Sequence, residues 1–398
     1  MEKQELKERK IFTVNYDWRD LFRTGRDEYY EKLQRDQLSP EINSFFFFSW
    51  VKENYEACEG KWCTVQKKTY GLEKLRPLLN IRALFSIPYT AYKHKVRPDA
   101  WLVYDFGMVP AMWIASKLFG GTLIMMVNNN PQDCSSTRRF GKIKQIYSKL
   151  AERIGVHFVE HFFTLNESMR AYLIDLGVKR EQIHIYTVNT VERDSKYIKS
   201  AQVGRIREKY ALPNDTKIML TVARLEEEKN YPLLLDLFSR LSDDHVLFCL
   251  GGGSLLEKLR KYVKKLGIEN RVYFQGNIKR DEIWNYYKDA DVFVMLSKAE
   301  ALGIVFWEAM YVGVPTIGSN IEGIVESLGN NGERGKIWKE ADGQEGFTKL
   351  VSFCVTSSKE RDTMISSAKE FVIEKLNNKA TLNDFLDNLD KKKKKHEE

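Results

Sequence analysis

Glu300 and Glu308 stand with seven residues between them in DVFVMLSKAEALGIVFWEAMYVGVPTIGS, residues 291–319, and Arg224 and Lys229 lie five positions apart in ARLEEEKNYP, residues 223–232. Ionised carboxylates accept hydrogen bonds from sugar and ribose hydroxyls, and fixed cations neutralise phosphates through charge-assisted hydrogen bonds. These four groups make a site only if the chain brings them to one edge. The apolar, β-branched run Val292–Leu296 predicts a buried strand, broken at Ser297-Lys298 by a polar turn. A helix is expected from Leu302 to Val312, stopped by Gly313 with Pro315 beyond it, and Val314–Ile317 predicts a second buried strand. Strand, loop, helix and strand in so few residues form a βαβ crossover, whose loop lies at the carboxyl edge of a parallel sheet. Glycine at 303 lets a ligand approach the backbone, and the N–H groups of the helix start favour phosphate. The stretch suits a phosphorylated sugar.

The segment EALGIVFWEAM, followed by GVP, resembles the donor-site signature of the retaining family 4 glycosyltransferases. That family has the GT-B fold, an α/β architecture of two Rossmann-like domains facing each other across a cleft. The resemblance implies a metal-independent transfer of a hexose-type sugar from a nucleotide-diphosphate sugar to a hydroxyl of a glycan, lipid or other acceptor. The nucleotide sugar is then a substrate, and no further cofactor or metal is expected. Glu300 would hold the donor sugar and Glu308 the ribose, with Ala301, Leu302, Gly303 and Ile304 lining the donor; the family's usual Gly-Phe-Gly after the first Glu is here Ala301-Leu302-Gly303. Arg224 and Lys229 resemble the family's Arg-x4-Lys pair, which makes Glu300, Arg224 and Lys229 the catalytic candidates, the two cations stabilising the departing diphosphate. Gly251 and Gly252 match glycines beside the nucleotide, and Phe274-Gln275-Gly276 resembles the family's Phe-x-Gly, which puts the base near Asn277 and Ile278. Ser254 and Glu257 read as a capping box for the next helix. Glu322-Gly323-Ile324-Val325-Glu326 resembles Gly-Gly-x-x-Glu, with Glu322 in place of the first glycine.

The first half matches the family more loosely. Ile11–Val14 predicts a first strand, but the loop after it lacks the family's Gly-Gly pair. Ala100–Tyr104, Val109–Phe119 and Thr122–Val127 predict strand, helix and strand; after them the family's histidine is replaced by Asn128-Asn129-Asn130. Asparagine hydrogen-bonds a hydroxyl but carries no proton, so Asn128 and Asn129 are acceptor-side candidates. The segment IHIYTVNTVERD resembles the family's Asn-Gly-Val-Asp turn through Asn189. Two other readings compete: a sugar-nucleotide-binding protein without transfer activity, and a sugar-nucleotide epimerase on the same fold. Transfer to any acceptor separates the first of these from an enzyme.

The implied organisation is an acceptor-side Rossmann-like domain over 1–191, a linker over 192–215 and a nucleotide-sugar-binding Rossmann-like domain over 216–376. A helix over 377–390 then crosses back to the first domain, and the apolar-free tail 391–398 is expected to be disordered. Asp289-Ala290-Asp291 spells a metal-binding Asp-x-Asp, but it ends a predicted helix and begins a strand, at the edge opposite the ligands, and reads as structural. Five scattered cysteines with no Cys-x2-Cys pair suit a reduced, cytoplasmic compartment, and the charged start MEKQELKERK argues against a secretory signal. Residues 1–200 hold 32 Lys and Arg against 24 Asp and Glu, residues 201–398 hold 31 against 31, so the net charge of +8 belongs to the first half. That excess suits an anionic partner. Thr137–Gly155 predicts an amphipathic helix with Phe140, Ile143, Tyr147, Leu150 and Ile154 at helical spacing and six basic residues among the other positions. Such a helix could meet an anionic membrane peripherally at its inner face. Nucleic acid is not an expected partner, because no recognition motif accompanies the charge.

Overall fold

The structure, a computed structural model, describes residues 10–15, 44–51, 55–59, 62–68, 76–127, 142–186, 190–377, 385–386 and 388–389. Asn128, Asn129, Asn189, the loop after the first strand and the tail 391–398 lie outside the described residues. The chain divides into two compact units, residues 1–187 with 380–398, and residues 188–379.

The first unit is built on an eight-stranded sheet: β1 (Lys10–Asn15), β2 (Ser44–Val51), β3 (Tyr55–Glu59), β4 (Trp62–Lys68), β5 (Ala100–Val103), β6 (Thr122–Val127), β7 (His161–Thr164) and β8 (Ile183–Ile185), in the order β3-β4-β2-β1-β5-β6-β7-β8. All neighbours run parallel except β3 and β4. Every residue of β5 and β6 is buried, as expected for parallel strands covered on both faces, and this is why their runs are continuously apolar rather than alternating. Its helices are α1 (Arg76–Lys93), α2 (Val109–Phe119), α3 (Lys142–Gly155) and α4 (Glu167–Asp175). Asn166 caps α4 by accepting the Met169 N–H at 2.8 Å. Late in the chain, Leu386 is buried against Ile11, Leu102 and Phe163, and the Phe385 ring packs edge-on to Phe163 with centroids 5.1 Å apart, so these residues rejoin the first sheet.

Residues 190–209 hold three short helices, α5 (Thr190–Arg193), α6 (Ser195–Ser200) and α7 (Arg205–Lys209). The expected linker 192–215 is therefore structured and belongs to the second unit. Asp289 accepts the N–H groups of Gly204, Ile206 and Arg207, so the start of α7 is fastened by a buried carboxylate to the end of the helix Arg280–Asp289.

The second unit carries a six-stranded, all-parallel sheet: β9 (Lys217–Val222), β10 (His245–Leu250), β11 (Val272–Gly276), β12 (Val292–Met295), β13 (Thr316–Ser319) and β14 (Lys336–Trp338). The order is β11-β10-β9-β12-β13-β14. The helices that follow are α8 (Tyr231–Phe238), α9 (Leu256–Leu266), α10 (Arg280–Asp289), α11 (Ile304–Tyr311), α12 (Glu322–Leu328), α13 (Gly343–Val355) and α14 (Lys359–Asn377). The chain winds outward in one direction through β9, β10 and β11, then returns to β12 on the other side of β9. The strand order thus reverses between β9 and β12, the topological switch point where open parallel sheets bind ligands. Among the described residues no helix is long and apolar enough to cross a membrane.

Candidate functional site

The loops leaving β9 and β12 carry the chemistry. Beyond β9 a short 3-10 turn, Glu227–Lys229, ends at Asn230, whose left-handed backbone (φ 53°) turns the chain into α8. The turn aims Lys229 across the switch point, where its Nζ donates to Glu300 Oε2 at 2.5 Å, both side chains being mostly buried. The Lys298 N–H donates to the Glu228 carbonyl at 2.8 Å, so the two loops are also joined through backbone. A cation and a carboxylate separated by 71 positions therefore meet where the sheet opens.

The loop 300–303 is held from below. Gly303 takes a left-handed φ of 63° as it enters α11, a conformation costly for any residue with a Cβ. Ser327 Oγ donates to the Leu302 carbonyl at 2.9 Å and accepts from the Trp307 indole at 3.0 Å. At Gly323 a Cβ would stand 2.2 Å from the Glu300 carbonyl oxygen and 2.4 Å from that of Ala301, so only glycine lets α12 approach the loop. Gly323→Ala is accordingly expected to destabilise the protein by about 1–3 kcal/mol and to weaken donor binding as the Glu300 backbone is pushed away. Thermal melts with and without a nucleotide diphosphate check this; an unchanged midpoint and unchanged ligand shift would contradict it.

The glycine-rich turn after β10 is packed onto the β9 loop. A Cβ at Gly251 would lie 2.1 Å from the Ala223 carbonyl oxygen and one at Gly253 2.4 Å from that of Leu225. Asn277 Oδ1 accepts the Gly252 N–H at 2.9 Å, so Asn277 shapes this turn. The expected capping box is not formed: Ser254 gives its N–H and hydroxyl to Glu226 instead, at 2.9 and 2.7 Å, and α9 starts two residues later at Leu256. Cross-loop carboxylate contact outcompetes the local cap because both Ser254 groups reach one acceptor.

Of the four charged candidates, the structure brings Lys229 and Glu300 together and leaves the other two apart from that pair. Arg224 is 67% exposed and donates to Glu228 Oε1 at 2.8 Å. Glu308, expected at the ribose, has a side chain 2% exposed, Oε1 accepting from Arg280 at 2.6 Å and Oε2 from the Tyr287 hydroxyl at 2.8 Å. The position is one turn inside α11, facing α10, and both oxygens are held by protein donors. Arg280 also pairs with Asp194, at 2.5 Å, whose carboxylate accepts from the Trp284 indole at 3.2 Å. Burial of Tyr287 first, and then the neighbouring Glu308 charge, holds its hydroxyl far above the usual phenol range. Burial alone would weaken the Arg280 cation, but Glu308 and then Asp194 more than reverse this, and it stays charged. Arg280, Asp194 and Tyr287 were not legible in the sequence as the network around Glu308. The only hint was an arginine at the first position of a helix, which is common.

Asp289 and Asp291 do not form a cation site. Asp289 is occupied by backbone N–H groups of α7, and Asp291 Oδ2 accepts from Arg207 at 2.8 Å and from the Ile218 N–H at 2.7 Å.

Residues 202–371 match the family model described as glycosyl transferases group 1. Mannosylfructose-phosphate synthase of Agrobacterium fabrum is 30% identical over 154 residues, 36% of this chain and 34% of that protein. Alpha-monoglucosyldiacylglycerol synthase of Streptococcus pneumoniae is 30% identical over 166 residues, 41% of this chain and 38% of that protein. The chain thus spans little more than a third of the length of these two relatives. HepE of Anabaena, solved in complex with UDP-glucose, shares 16% identity and superposes with a TM-score of 0.67 over 92% of this chain and 95% of its own. The chain therefore has the α/β fold of HepE, with two parallel-sheet units, and the part of it that holds Lys229 and Glu300 matches the glycosyl transferases group 1 family.

Proposed function

We propose that the protein is a retaining, metal-independent glycosyltransferase of the family 4 type, moving a hexose-type sugar from a nucleotide-diphosphate sugar to a hydroxyl of a glycan or lipid. The observation that carries this reading is the Lys229–Glu300 pair at the switch point, next to the start of α11. In it Glu300 accepts hydrogen bonds from the donor sugar's hydroxyls, while Lys229 and the first N–H groups of α11 stabilise the negative charge that develops on the departing diphosphate. Arg224, exposed beside this loop, adds a second cation when it leaves Glu228 for the phosphates. Ala301, Leu302 and Ile304 line the sugar, and Gly251, Gly252 and Ile278 lie toward the nucleotide.

In the transfer step the anomeric carbon–oxygen bond to the diphosphate breaks and a bond to the acceptor oxygen forms on the same face. The acceptor's proton passes to the leaving phosphate oxygen. No protein base is needed, which suits a chain whose acceptor-side candidates are the asparagines 128 and 129. The UDP-glucose complex of HepE and the lipid in the name of the pneumococcal relative support a nucleotide-sugar donor and a lipid or glycan acceptor. The scattered cysteines and the basic first half support a cytoplasmic enzyme that touches an anionic membrane surface peripherally.

The test is a thermal-shift screen against UDP, GDP and ADP and their sugar conjugates. One nucleotide at a hundredfold excess over its dissociation constant stabilises the fold by about 2.7 kcal/mol. The expected result is a shift with one base and its sugar conjugate, followed by release of the diphosphate when an acceptor is added. No shift with any of the set would overturn the reading; a shift without turnover on any hydroxyl acceptor would leave a binding protein in place of an enzyme.

A further inference from the structure

Helix α1 of the first unit is apolar on two opposite faces. Ala83, Ile87 and Ala91 are buried in the core of that unit, whereas Ile81, Phe85, Tyr89 and Tyr92, at spacings of four, four and three, form one outward stripe joined by Leu78. Phe85 is 75% exposed and Tyr92 72%. A water-facing helix normally presents polar residues on that side, so among the described residues this stripe lacks its cover.

The neighbouring helix repeats the pattern. Asn80 Nδ2 donates to the Tyr147 hydroxyl at 2.5 Å, which sets α3 beside α1. On α3 the face turned inward is polar and small: Glu152, buried, accepts from the Ser148 and Tyr172 hydroxyls, and Gly155 approaches the Phe106 ring. That buried contact rotates Leu150 and Ile154 outward, together with Ile146, which is 66% exposed.

Among the described residues, the exposed charges on these two helices have one sign. Residues 76–98 contain Arg76, Arg82, Lys93, Lys95 and Arg97 and no acidic residue. Lys93, Lys95 and Arg97 are exposed at the end of α1 beside Tyr92, and Lys149 and Arg153 are exposed on α3 between its apolar positions. A second copy docked here would set these cations against their own kind. An anionic bilayer instead offers phosphate oxygens to the cations and acyl chains to the rings, with the Tyr hydroxyls at headgroup level.

We propose that the outer faces of α1 and α3 form a membrane-docking surface for anionic lipid, Phe85, Tyr89 and Tyr92 entering the headgroup–acyl boundary and Lys93, Lys95, Arg97, Lys149 and Arg153 engaging the headgroups. This rests on the membrane contact proposed above and assigns it to specific residues. It brings a lipid-borne acceptor to the enzyme within the plane of the membrane.

The test is flotation of the full chain with vesicles of phosphatidylglycerol and phosphatidylcholine, or of phosphatidylcholine alone. The protein is expected to float with the anionic vesicles only. The variant Phe85→Ser/Tyr89→Ser/Tyr92→Ser, at positions already in water, is expected to keep the wild-type melting temperature and to lose about tenfold or more of that binding. Wild-type protein that stays in solution, a triple variant that floats equally well, or a wild-type dimer that the triple variant converts to monomer would each overturn the proposal. The donor site is read separately, by the nucleotide thermal shift. Flotation without a nucleotide shift upholds the docking surface while removing the proposed donor site, and a nucleotide shift without flotation does the reverse.

Discussion

Lys229→Ala is expected to lower sugar transfer by about two to three orders of magnitude, the loss seen when one preorganised donor to a developing negative charge is removed. The reason is geometric. Lys229 is held at 2.5 Å from Glu300 with most of its side chain buried, so no other cation of the loop can take its place, and Arg224, five residues earlier, is turned toward Glu228. Glu300→Gln keeps the shape and removes the charge that positions Lys229, and is expected to give a loss of similar size. Because the two act as one unit, the double variant Lys229→Ala/Glu300→Gln should be no worse than the poorer single one. Steady-state rates on donor and acceptor, with melting curves to confirm folding, decide this. A folded single variant with wild-type turnover, or a double variant showing the product of two separate losses, would remove the pair from the chemistry.

Arg280→Met should cost stability rather than chemistry. Asp194 and Glu308 are each 2% exposed and share the Arg280 guanidinium, so its removal leaves two buried carboxylates without their cation. Breaking such a network costs about 3–5 kcal/mol, or about 6–20 °C in melting temperature for a unit of this size. The triple variant Arg280→Met/Asp194→Asn/Glu308→Gln, which removes the stranded charges too, is expected to recover much of that loss. If Arg280→Met melts within a few degrees of wild type, the network does not hold the junction of α5 and α6 to α10 and α11.

The two predictions separate residues that the linear spacing had grouped. Glu300 and Glu308 sit on one short stretch, and their spacing suggested a common ligand. Seven intervening residues include the loop end and the first turn of α11, so the two side chains leave in different directions: Glu300 from the loop toward β9, Glu308 from the helix toward α10. A helix rotates its residues by about 100° each, and which of those directions faces the ligand edge depends on what packs behind the helix. Tyr287 of α10, whose hydroxyl donates to Glu308, does that here.

Much of the fold was legible in the residues alone. The buried parallel strands announce themselves as short, continuous, β-branched runs: Val292–Met295, His245–Leu250 and Thr122–Val127 fall where their apolar runs put them, within a residue or two at the ends. The helix stop at Gly313 follows from the left-handed backbone that glycine adopts at least cost. The pairing of Lys229 with Glu300 was legible only through a resemblance, since nothing in the spacing of residues 71 apart shows that their loops meet.

What the chain's order of residues determined by itself was therefore local: which segments are strands, where helices stop, and which loops carry charge, because backbone conformation answers to nearby side chains. The tertiary structure alone decided which charges meet and which faces remain bare. Strand order placed the β9 and β12 loops side by side, packing of α10 gave the Glu308 oxygens to Arg280 and Tyr287, and the seating of α3 on Glu152 and Gly155 turned its apolar stripe outward. Each of these depends on contacts between residues far apart in the chain, whose energies no local pattern contains.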